Sequence, residues 1–565
     1  MDSTTSTLSA DGLKRDVGFW GLAWASEGSI IGSGWLFAGL LATSIAGPAA
    51  LISWGIASVI VILLALVHAE LGGMFPVTGG TSRFPHYAYG SFAGLTYGWF
   101  AYLQAASVAP IEVLATIQYT STASWASSWY KPATNTLSGA GIAVAVILMI
   151  AFVIVNLIGI RWLAHTNTTM TTWKVIVPVV AVIVLCIANF HGGNFKAGGG
   201  FFVPGKSGGM HAVLDAVANA GIVFSLLGFE QAVQLGGEAR NPQRDLPRAV
   251  ITAILVGAVI YIAAQFAFIV ALNPHTLTSF HGWTGLETDP ALAAAPFYTV
   301  AKVAGIAWLA WVFRIDAVIS PAGTGLIYLT SASRISFGLS KNGYVPVAFE
   351  KVNERTKIPV FAVLVTAVIG LLFLLPFPSW SKLVGIVTAA SVIMYSSAPL
   401  ALGAFRKSHP NMRRTYLLPG AEFLTPLAFV FASWVVYWAG WGTYTTVMFA
   451  LIIGYILMFL SRAFNANPHQ PKIDWGAAKW VLSYFIGMGI ISYFGSFGSG
   501  PIMGGIRGFQ TVWIGGDGRL GLYWDLLVVA VFSVAIYYWA IASRLSTPEM
   551  DEYIGSVVVV DEHAG

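Results

Sequence analysis

The sequence predicts an all-α protein that crosses a membrane many times, and two observations carry this prediction. The chain has 565 residues, of which 56% are hydrophobic and only 9% are charged, and its mean hydropathy is +0.74. A soluble globular protein is about 25% charged. Apolar runs of bilayer-spanning length also recur along most of the chain. This composition excludes a soluble enzyme, a nucleic-acid-binding protein and a fibrous protein.

Apolar length predicts fourteen membrane-spanning segments. Their approximate limits are residues 17–45, 51–72, 92–119, 140–160, 171–190, 211–238, 249–272, 305–332, 359–376, 383–404, 423–440, 443–461, 479–497 and 522–543. Most of the 29 Lys and Arg residues lie in loops that an even span count puts on the same side as both termini. Because cytoplasmic loops carry the excess of Lys and Arg, we predict a multi-pass protein of the cell (inner) membrane with cytoplasmic termini.

The first span is interrupted by the glycine-rich sequence Gly28-Ser29-Ile30-Ile31-Gly32-Ser33-Gly34. Each interior glycine costs a helix about 1 kcal/mol relative to Ala. Backbone groups freed in hydrocarbon cost more, unless they line a cavity or bind something. Two interpretations are therefore open: a seam of small residues that lets helices pack closely, or a break whose N–H and C=O groups bind a ligand.

A second interruption, Phe224-Ser225-Leu226-Leu227-Gly228-Phe229-Glu230, lies in the sixth span. A five-span offset is odd, so the two halves must be inverted relative to each other, and matched broken helices in inverted halves indicate a midplane binding site of a transporter. We predict a five-plus-five inverted repeat with broken first and sixth helices and about four accessory helices. The predicted parts are a cytoplasmic N-terminal segment (1–16), spans 1–5 (17–200), spans 6–10 (201–410), accessory spans 11–14 (411–545) and a polar cytoplasmic tail (546–565) that is disordered or loosely attached.

The half-helix ends at the two breaks suit a zwitterionic ligand. Helix N-termini carry partial positive charge and free N–H groups, which suit a carboxylate, whereas unwound carbonyls and helix C-termini suit an ammonium. A ligand with both groups a few ångströms apart is an α-amino acid. The predicted substrate-binding residues are Gly28, Ser29, Ile30, Gly32, Ser33 and Gly34 in the first break, and Phe224, Ser225, Leu226, Gly228 and Glu230 in the second.

Several motifs resemble the amino acid–polyamine–organocation (APC) superfamily of transporters. They are G-S-I-I-G-S-G at 28–34, A-E-L-G-G-M-F-P at 69–76, G-F-E at 228–230, G-E-A-R-N-P at 237–242 and S-R at 333–334. The sequences at 375–380, 492–498 and 535–540 resemble the bacterial aspartate–proton symporter branch. The resemblance implies the five-plus-five fold and proton-coupled uptake of an amino acid, with an acidic one (aspartate or glutamate) as a candidate.

Charged side chains at bilayer depth cost at least about 2.5–3.5 kcal/mol each, so each predicts a partner or a function. Lys174 in span 5 is a candidate for loading and releasing a proton, and the resemblance implies that it reaches the span 1 carbonyls near Gly28 in place of a sodium ion. The alternative is a lysine that snorkels to the cytoplasmic interface. Asp316 in span 8 either pairs with Lys174, accepts a proton or forms a structural ion pair. Glu112 in span 3 is either a proton carrier or a structural hydrogen-bonding group.

Two further ionisable residues leave alternatives open. Arg314 departs from the pattern of the aspartate–proton branch, and it either clamps an acidic substrate side chain or only satisfies its neighbours on span 8. Glu230, beside the second break, would disfavour a second substrate carboxylate and favour a neutral or basic substrate.

The sequence thus predicts a transporter rather than an enzyme, which imports an amino acid with protons by alternating access. The expected partners are a small amino acid, the proton and the lipid bilayer, with no nucleic acid. An exchanger without net proton flux and a non-transporting sensor on the same scaffold are the alternatives. The ten His residues are scattered and no phosphate-binding loop is present, so we predict no metal site and no cofactor.

Overall fold

The computed structural model describes residues 15–158, 160–204, 208–353, 358–374, 379–500, 502 and 515–558, and it is almost entirely α-helical. The α-helices are α1 Phe19–Ile30, α2 Gly34–Ala46, α3 Ala50–Met74, α4 Gly80–Thr120, α5 Gly139–Ile158, α6 Ile160–Ala188, α7 Met210–Asn219, α8 Ile222–Leu226, α9 Gln231–Gln234, α10 Pro242–Ala271, α11 Pro274–Ser279, α12 Pro290–Ala294, α13 Pro296–Val303, α14 Ala307–Lys341, α15 Val360–Phe373, α16 Trp380–Ser408, α17 Ala421–Trp438, α18 Gly440–Ala463, α19 Trp475–Phe494, α20 Leu522–Ser543 and α21 Thr547–Val558.

Extended structure in the described part of the chain is confined to one antiparallel pair, β1 Tyr130–Lys131 with β2 Thr136–Leu137, and a few isolated bridges. Short 3₁₀ turns connect several helices, at Gly47–Ala49, Ser124–Trp129, Pro132–Thr134, Gly192–Phe195, Gly236–Glu238, Trp283–Thr288 and Val347–Glu350. The prediction of an all-α polytopic membrane protein is confirmed.

Each of the fourteen predicted spans coincides with a helix or a group of helices. The first span is α1 with α2, and the sixth is α7 to α9. Among the described residues, eleven helical segments are long and apolar enough to cross a bilayer, and one of them, Gly34–Met74, contains both α2 and α3. Helix α15 has 14 residues, fewer than the roughly 20 that span a bilayer without tilt or flanking segments.

Among the described residues, two of the three most extensive helix pairs join predicted spans that are five apart in the chain, and the other pair is α4 with α16. The third and eighth predicted spans, α4 and α14, form the most extensive helix pair, and the second and seventh, α3 and α10, also pack along much of their length. Helix α4 is not straight, because Gly90 has φ +75° and ψ −160° in its interior. The predicted third span, 92–119, is the part of α4 that follows this kink.

The prediction of a disordered or loosely attached tail is wrong for residues 547–558, which form helix α21. The Ser546 N–H and hydroxyl both donate to Glu549 Oε2, at 3.0 and 2.8 Å, so the Glu549 side chain caps the start of the helix as in one half of a capping box. Met550 and Ile554 are buried, and the Tyr553 hydroxyl donates to Asp474 Oδ2 at 2.6 Å. The helix is therefore both capped and packed, which the polar composition of the segment concealed. Residues 559–565 lie outside the described part.

Candidate substrate and coupling site

The first break separates α1 from α2 at residues 31–33, where Ile31 leaves the helical region with φ −84° and ψ 89°. Gly28, Ser29 and Ile30 remain in the last turn of α1, and Gly34 is the first residue of α2. The break therefore exposes the C-terminal carbonyls of one half-helix and the N-terminal N–H groups of the next. These are the groups that a helix end leaves without internal partners.

Lys174 of α6 binds the carbonyl end of this break. Its Nζ donates to the Gly28 carbonyl and, at 2.8 Å, to Thr324 Oγ1 of α14, and the Thr324 hydroxyl donates to the same Gly28 carbonyl at 3.0 Å. The side chain of Lys174 is fully buried, with 0% exposure, so it does not snorkel to the membrane surface. The contact between Lys174 and Gly28 that the resemblance implied is present.

Glu112 of α4 binds the opposite end of the break. The Ser33 N–H donates to Glu112 Oε2 at 2.9 Å, which places a carboxylate at the positive N-terminus of α2. The other oxygen, Oε1, has no hydrogen-bond partner within the described part of the chain. Gly32 makes room for it, because a Cβ at that position would lie 2.7 Å from Oε1. Glu112 thus occupies the half-helix end that suits a substrate carboxylate.

The hydroxyls of the two serines in the first break have partners within the protein. Ser29 Oγ donates to the Ala25 carbonyl of its own helix at 2.8 Å, and Ser33 Oγ accepts from Trp380 Nε1 at 2.8 Å. The carbonyl of Ile30 accepts from the Tyr261 hydroxyl of α10 at 2.7 Å.

The second break differs from its prediction in position. Phe224, Ser225 and Leu226 lie inside the short helix α8, whereas the unwound part is 227–230. A further interruption separates α7 from α8 at 220–221. Gly221 has φ +80° and Gly228 has φ +126°, conformations that favour glycine. The sixth span is therefore interrupted twice, and the sequence analysis located only the second interruption.

Glu230 is the most fully bonded carboxylate of the site. It accepts from the Gly228 N–H at 2.9 Å, from the Gln104 side chain at 3.3 Å, from Tyr328 at 3.2 Å and from Tyr395, as well as from its neighbour Gln231. These donors come from α4, α14 and α16. Glu230 therefore joins three helices to the unwound segment, and both of its oxygens already have protein donors.

The two breaks touch each other through their glycines. A Cβ on Gly228 would lie 2.7 Å from the Ile30 nitrogen and 2.8 Å from the Ser29 carbonyl carbon, and a Cβ on Gly34 would lie 3.0 Å from the Ser225 Cα. Close packing thus explains Gly34 and Gly228, as the seam interpretation proposed. It does not explain the two charged side chains, Lys174 and Glu112, that bind the ends of the first break.

Two of the predicted ionisable residues lie apart from the breaks. Asp316 accepts from Trp35 Nε1 at 3.1 Å, from Trp173 Nε1 at 2.9 Å and from Ser320 at 2.6 Å, and no ion pair with Lys174 is present among the described residues. Arg314 donates to the Thr122 carbonyl and to the Tyr298 hydroxyl, and its guanidinium stacks on the Tyr298 ring at 4.4 Å. Arg314 is therefore held by its neighbours and not by either break.

The sequence analysis missed Glu27, which lies in the last turn of α1. Its side chain is buried, with 4% exposure of the residue, and neither carboxylate oxygen has a hydrogen-bond partner within the described part of the chain. The criterion that selected Glu112 and Lys174, an ionisable residue inside an apolar span, applies equally to Glu27. Thr324 and Trp380, which bind the first break, carried no comparable signal because uncharged polar residues are common in membrane helices.

Two buried glutamates of the sequence motifs, Glu70 and Glu238, form ion pairs with arginines. Glu70 is buried and accepts from Arg406 at 2.9 Å and from the Leu418 N–H at 2.8 Å, with Arg414 Nε 3.1 Å away. Glu238 accepts from Arg334 Nε at 3.1 Å. These ion pairs hold together the segments that carry the two partners, because removal of either partner would leave an uncompensated buried charge.

Comparison with known proteins identifies the class to which this architecture belongs. The family model described as amino acid permease matches residues 17–437. The glutamate/serine transporter AimA of Bacillus subtilis (strain 168) is 35% identical over 540 residues, which are 95% of each chain. The aspartate–proton symporter of the same organism is 31% identical over 544 residues, which cover 95% of this chain and 98% of that protein. The branched-chain amino acid permease BcaP, also from that organism, is 27% identical over 496 residues.

These matches confirm the predicted superfamily, and they confirm that the chain belongs to a family of transporters and not of enzymes. They cover both breaks and all the helices that bind them. The chain is a multi-pass membrane protein of the amino acid permease family, within the APC superfamily, and it is an amino acid transporter.

Proposed function

We propose that this transporter imports its amino acid together with protons across the cell membrane by alternating access, with both termini in the cytoplasm. The observation that carries the proposal is the contact of the Lys174 ammonium with the Gly28 carbonyl at the first break. A buried ammonium on the carbonyl end of a half-helix is a cation that the site can gain or lose by protonation alone. Coupling of this kind needs no metal ion.

Lys174 acts as a switch on the shape of the break. When charged, its Nζ holds the Gly28 carbonyl and the Thr324 hydroxyl and so ties α1 to α14 through α6. When neutral, it loses most of that attraction, because hydrogen bonds to a charged group are worth about 1.5–3 kcal/mol and those between neutral groups about half as much. The first half of the broken helix is then free to move relative to α14.

Glu112 links the proton to the substrate. Its carboxylate accepts the Ser33 N–H at the N-terminus of α2, the group best suited to a substrate carboxylate. Protonation of Glu112 weakens this internal bond, so the N–H becomes available to the incoming amino acid. Substrate binding and proton binding therefore favour each other.

The proposed substrate is an acidic amino acid, glutamate or aspartate. Two relatives of similar length are named for glutamate with serine and for aspartate with protons. Glu230 argues against an acidic side chain only if its charge is free, and its oxygens are bonded by donors from three helices. Arg314 does not reach the breaks in this conformation and has no part in the proposal.

Uptake into proteoliposomes tests the proposal. Purified protein is reconstituted, and accumulation of radiolabelled glutamate, aspartate and serine is driven either by an inward proton gradient or by unlabelled substrate inside. Proton-coupled import predicts accumulation driven by the proton gradient alone. If internal substrate drives uptake and the proton gradient does not, the chain is an exchanger and the proposal is wrong. If neither the proton gradient nor internal substrate drives uptake, although the purified protein binds substrate, the chain is a non-transporting sensor.

Replacement of Lys174 sharpens the test. Lys174→Ala should lower gradient-driven accumulation about tenfold, the effect of losing roughly 1.4 kcal/mol of coupling, while substrate binding by thermal shift persists. Lys131→Ala, which removes an exposed lysine of β1, is the matched control and should transport as the wild type does. A Lys174→Ala protein with full proton-driven accumulation would rule out the switch.

A further inference from the structure

Glu27 is a buried acid for which neither the fold nor the coupling scheme above has a use. Its residue is 4% exposed, and both carboxylate oxygens lack hydrogen-bond partners within the described part of the chain. A buried polar group without a partner is rare and costly, and an unpaired carboxylate is the costliest case. Its presence one residue before Gly28, whose carbonyl Lys174 holds, places it at the break itself.

The charged and titratable groups that face Glu27 come from two neighbouring helices. On α6, the ammonium of Lys174 is close enough to attract it. On α10, the Tyr261 hydroxyl is nearby but donates to the Ile30 carbonyl. Ile30 lies three residues after Glu27 on the same face of α1, and it packs against Gly257 of α10. Glu112 of α4 and Asp316 of α14 do not bond Glu27, but both are also attracted by Lys174.

Lys174 therefore attracts three buried carboxyl groups electrostatically: Glu27, Glu112 and Asp316. With all four groups ionised, this part of the bilayer core would carry two uncompensated negative charges. Such a state is strongly disfavoured in a medium of low dielectric constant. The site must gain positive charge, and the carboxyl group with the fewest donors is the one that a proton neutralises most readily.

The three carboxyl groups differ in the hydrogen bonds and helix dipoles that stabilise their ionised forms. Asp316 accepts three hydrogen bonds, two of them from indoles, and Glu112 accepts the Ser33 N–H at a helix N-terminus. Glu27 accepts none, and it lies in the last turn of α1, where the helix dipole opposes a negative charge. Both the number of hydrogen-bond donors and the helix dipole thus indicate that Glu27 is the carboxyl group that binds a proton most readily.

We propose that Glu27 is a further proton-binding site of the transporter, distinct from Lys174 and Glu112, and that it carries one proton in each transport cycle. The proton adds to one carboxylate oxygen from the outer solution and leaves that oxygen to the inner solution, so the group returns to its starting form. The inference rests on the proposed proton coupling and adds one proton to it.

The experiment measures the number of protons transported per substrate. In proteoliposomes, the imposed pH difference at which a fixed substrate gradient produces no net flux gives this ratio. The wild-type ratio is compared with those of Glu27→Gln, Glu27→Asp and the exposed control Glu422→Gln. We expect Glu27→Gln to lower the ratio by one while substrate counterflow, which needs no net proton movement, continues. Glu27→Asp, which keeps the acid, and the control should keep the wild-type ratio.

The outcomes separate failure of this inference from failure of the proposed function. A wild-type protein whose flux does not respond to pH gradients overturns proton coupling altogether. A proton-coupled wild type whose proton-to-substrate ratio is unchanged in Glu27→Gln overturns only the Glu27 site. Infrared difference spectra between acidic and alkaline buffer provide a readout independent of transport, since a protonated carboxyl group has its own C=O band. If Glu27→Gln does not assemble, a band that fails to shift in Glu27→Asp contradicts the inference.

Discussion

The two breaks are built from similar sequences, yet their buried carboxyl groups are treated in opposite ways. At the second break, Glu230 is surrounded by donors from the unwound backbone and from α4, α14 and α16. At the first break, Glu112 accepts one backbone N–H with one oxygen, and Glu27 accepts nothing among the described residues. A fully bonded acid fixes a structure, whereas an acid with unmet oxygens retains a capacity to bind protons or ligands.

This difference suggests a division of labour between the halves of the repeat. Under the proposed proton coupling, the second break acts as a fixed frame, and the first break carries the groups that change protonation. The two breaks meet at Gly228, where backbone lies directly against the backbone of Ser29 and Ile30. Variants at each break test this difference, because those at the second break should lower stability and those at the first should change coupling.

The largest loss of stability is expected from Glu230→Ala. The change leaves the Gly228 N–H, Gln104, Tyr328 and Tyr395 without their acceptor in a buried position, and each buried donor left without a partner costs about 1–3 kcal/mol. Thermal unfolding in detergent and the yield of monodisperse protein measure the effect. Glu112→Ala removes a single N–H contact and should unfold much closer to the wild type. The reverse order of stability would contradict the comparison.

An intermediate effect is expected from adding one methyl group at the glycines of the two breaks. Gly228→Ala places a Cβ 2.7 Å from the Ile30 nitrogen at φ +126°, and neither backbone can yield, so we expect a loss of about 2–3 kcal/mol. Gly32→Ala places its Cβ 2.7 Å from Glu112 Oε1 and 2.8 Å from Thr324 Oγ1, which are side-chain atoms that can move.

The glycine pair separates stability from coupling. Gly228→Ala should lower the unfolding temperature without changing the pH profile of the uptake that remains. Gly32→Ala should unfold near the wild-type temperature but displace Glu112, and so change the pH dependence of uptake. Parallel measurements of unfolding and of uptake across a pH series check both expectations. Equal unfolding temperatures for the two variants would show that the close contact at Gly228 is not rigid.

The sequence predicted the frame of this molecule better than the chemistry at its centre. Apolar length located a helix or a group of helices for each of the fourteen predicted spans, and the glycine-containing interruptions located both breaks, because spanning helices and broken helices leave signals of composition. The reach of Lys174 to Gly28 came from the family resemblance and is present. The break predicted at Phe224 to Glu230 begins too early, because Phe224 to Leu226 belong to α8, and a helix this short is indistinguishable from an unwound segment by composition.

The hydrogen-bond partners of the buried side chains could not be predicted from the sequence. Whether Arg314 reaches the site depends on Tyr298 and Thr122, which are distant in sequence and lie beside it only after folding. The same is true of Glu230, whose donors come from three other helices. Glu27 is different, because its position inside an apolar span was visible from the start.

The smallest effect is expected far from both breaks, at the start of α21, and it sets a baseline for the others. Hydrogen bonds from the Ser546 hydroxyl and N–H hold the pKa of Glu549 below its usual value of 4.5. A group with a lowered pKa contributes stability above its unfolded pKa and loses it as the pH falls through the folded value. The capping bond is therefore complete at neutral pH and disappears in acid.

Glu549→Ala should destabilise α21 by about 1 kcal/mol or less at neutral pH, the usual worth of a helix cap on an exposed helix end. Hydrogen exchange of residues 547–558, measured by mass spectrometry, should accelerate at neutral pH and match the wild type once acid has protonated Glu549. Glu552→Ala, at an exposed position of the same helix, should leave exchange near the wild-type rate. Because α21 touches neither break, proton-driven uptake should be unchanged in both variants. A loss of coupling in Glu549→Ala would mean that the tail, and not the first break alone, sets the transport cycle.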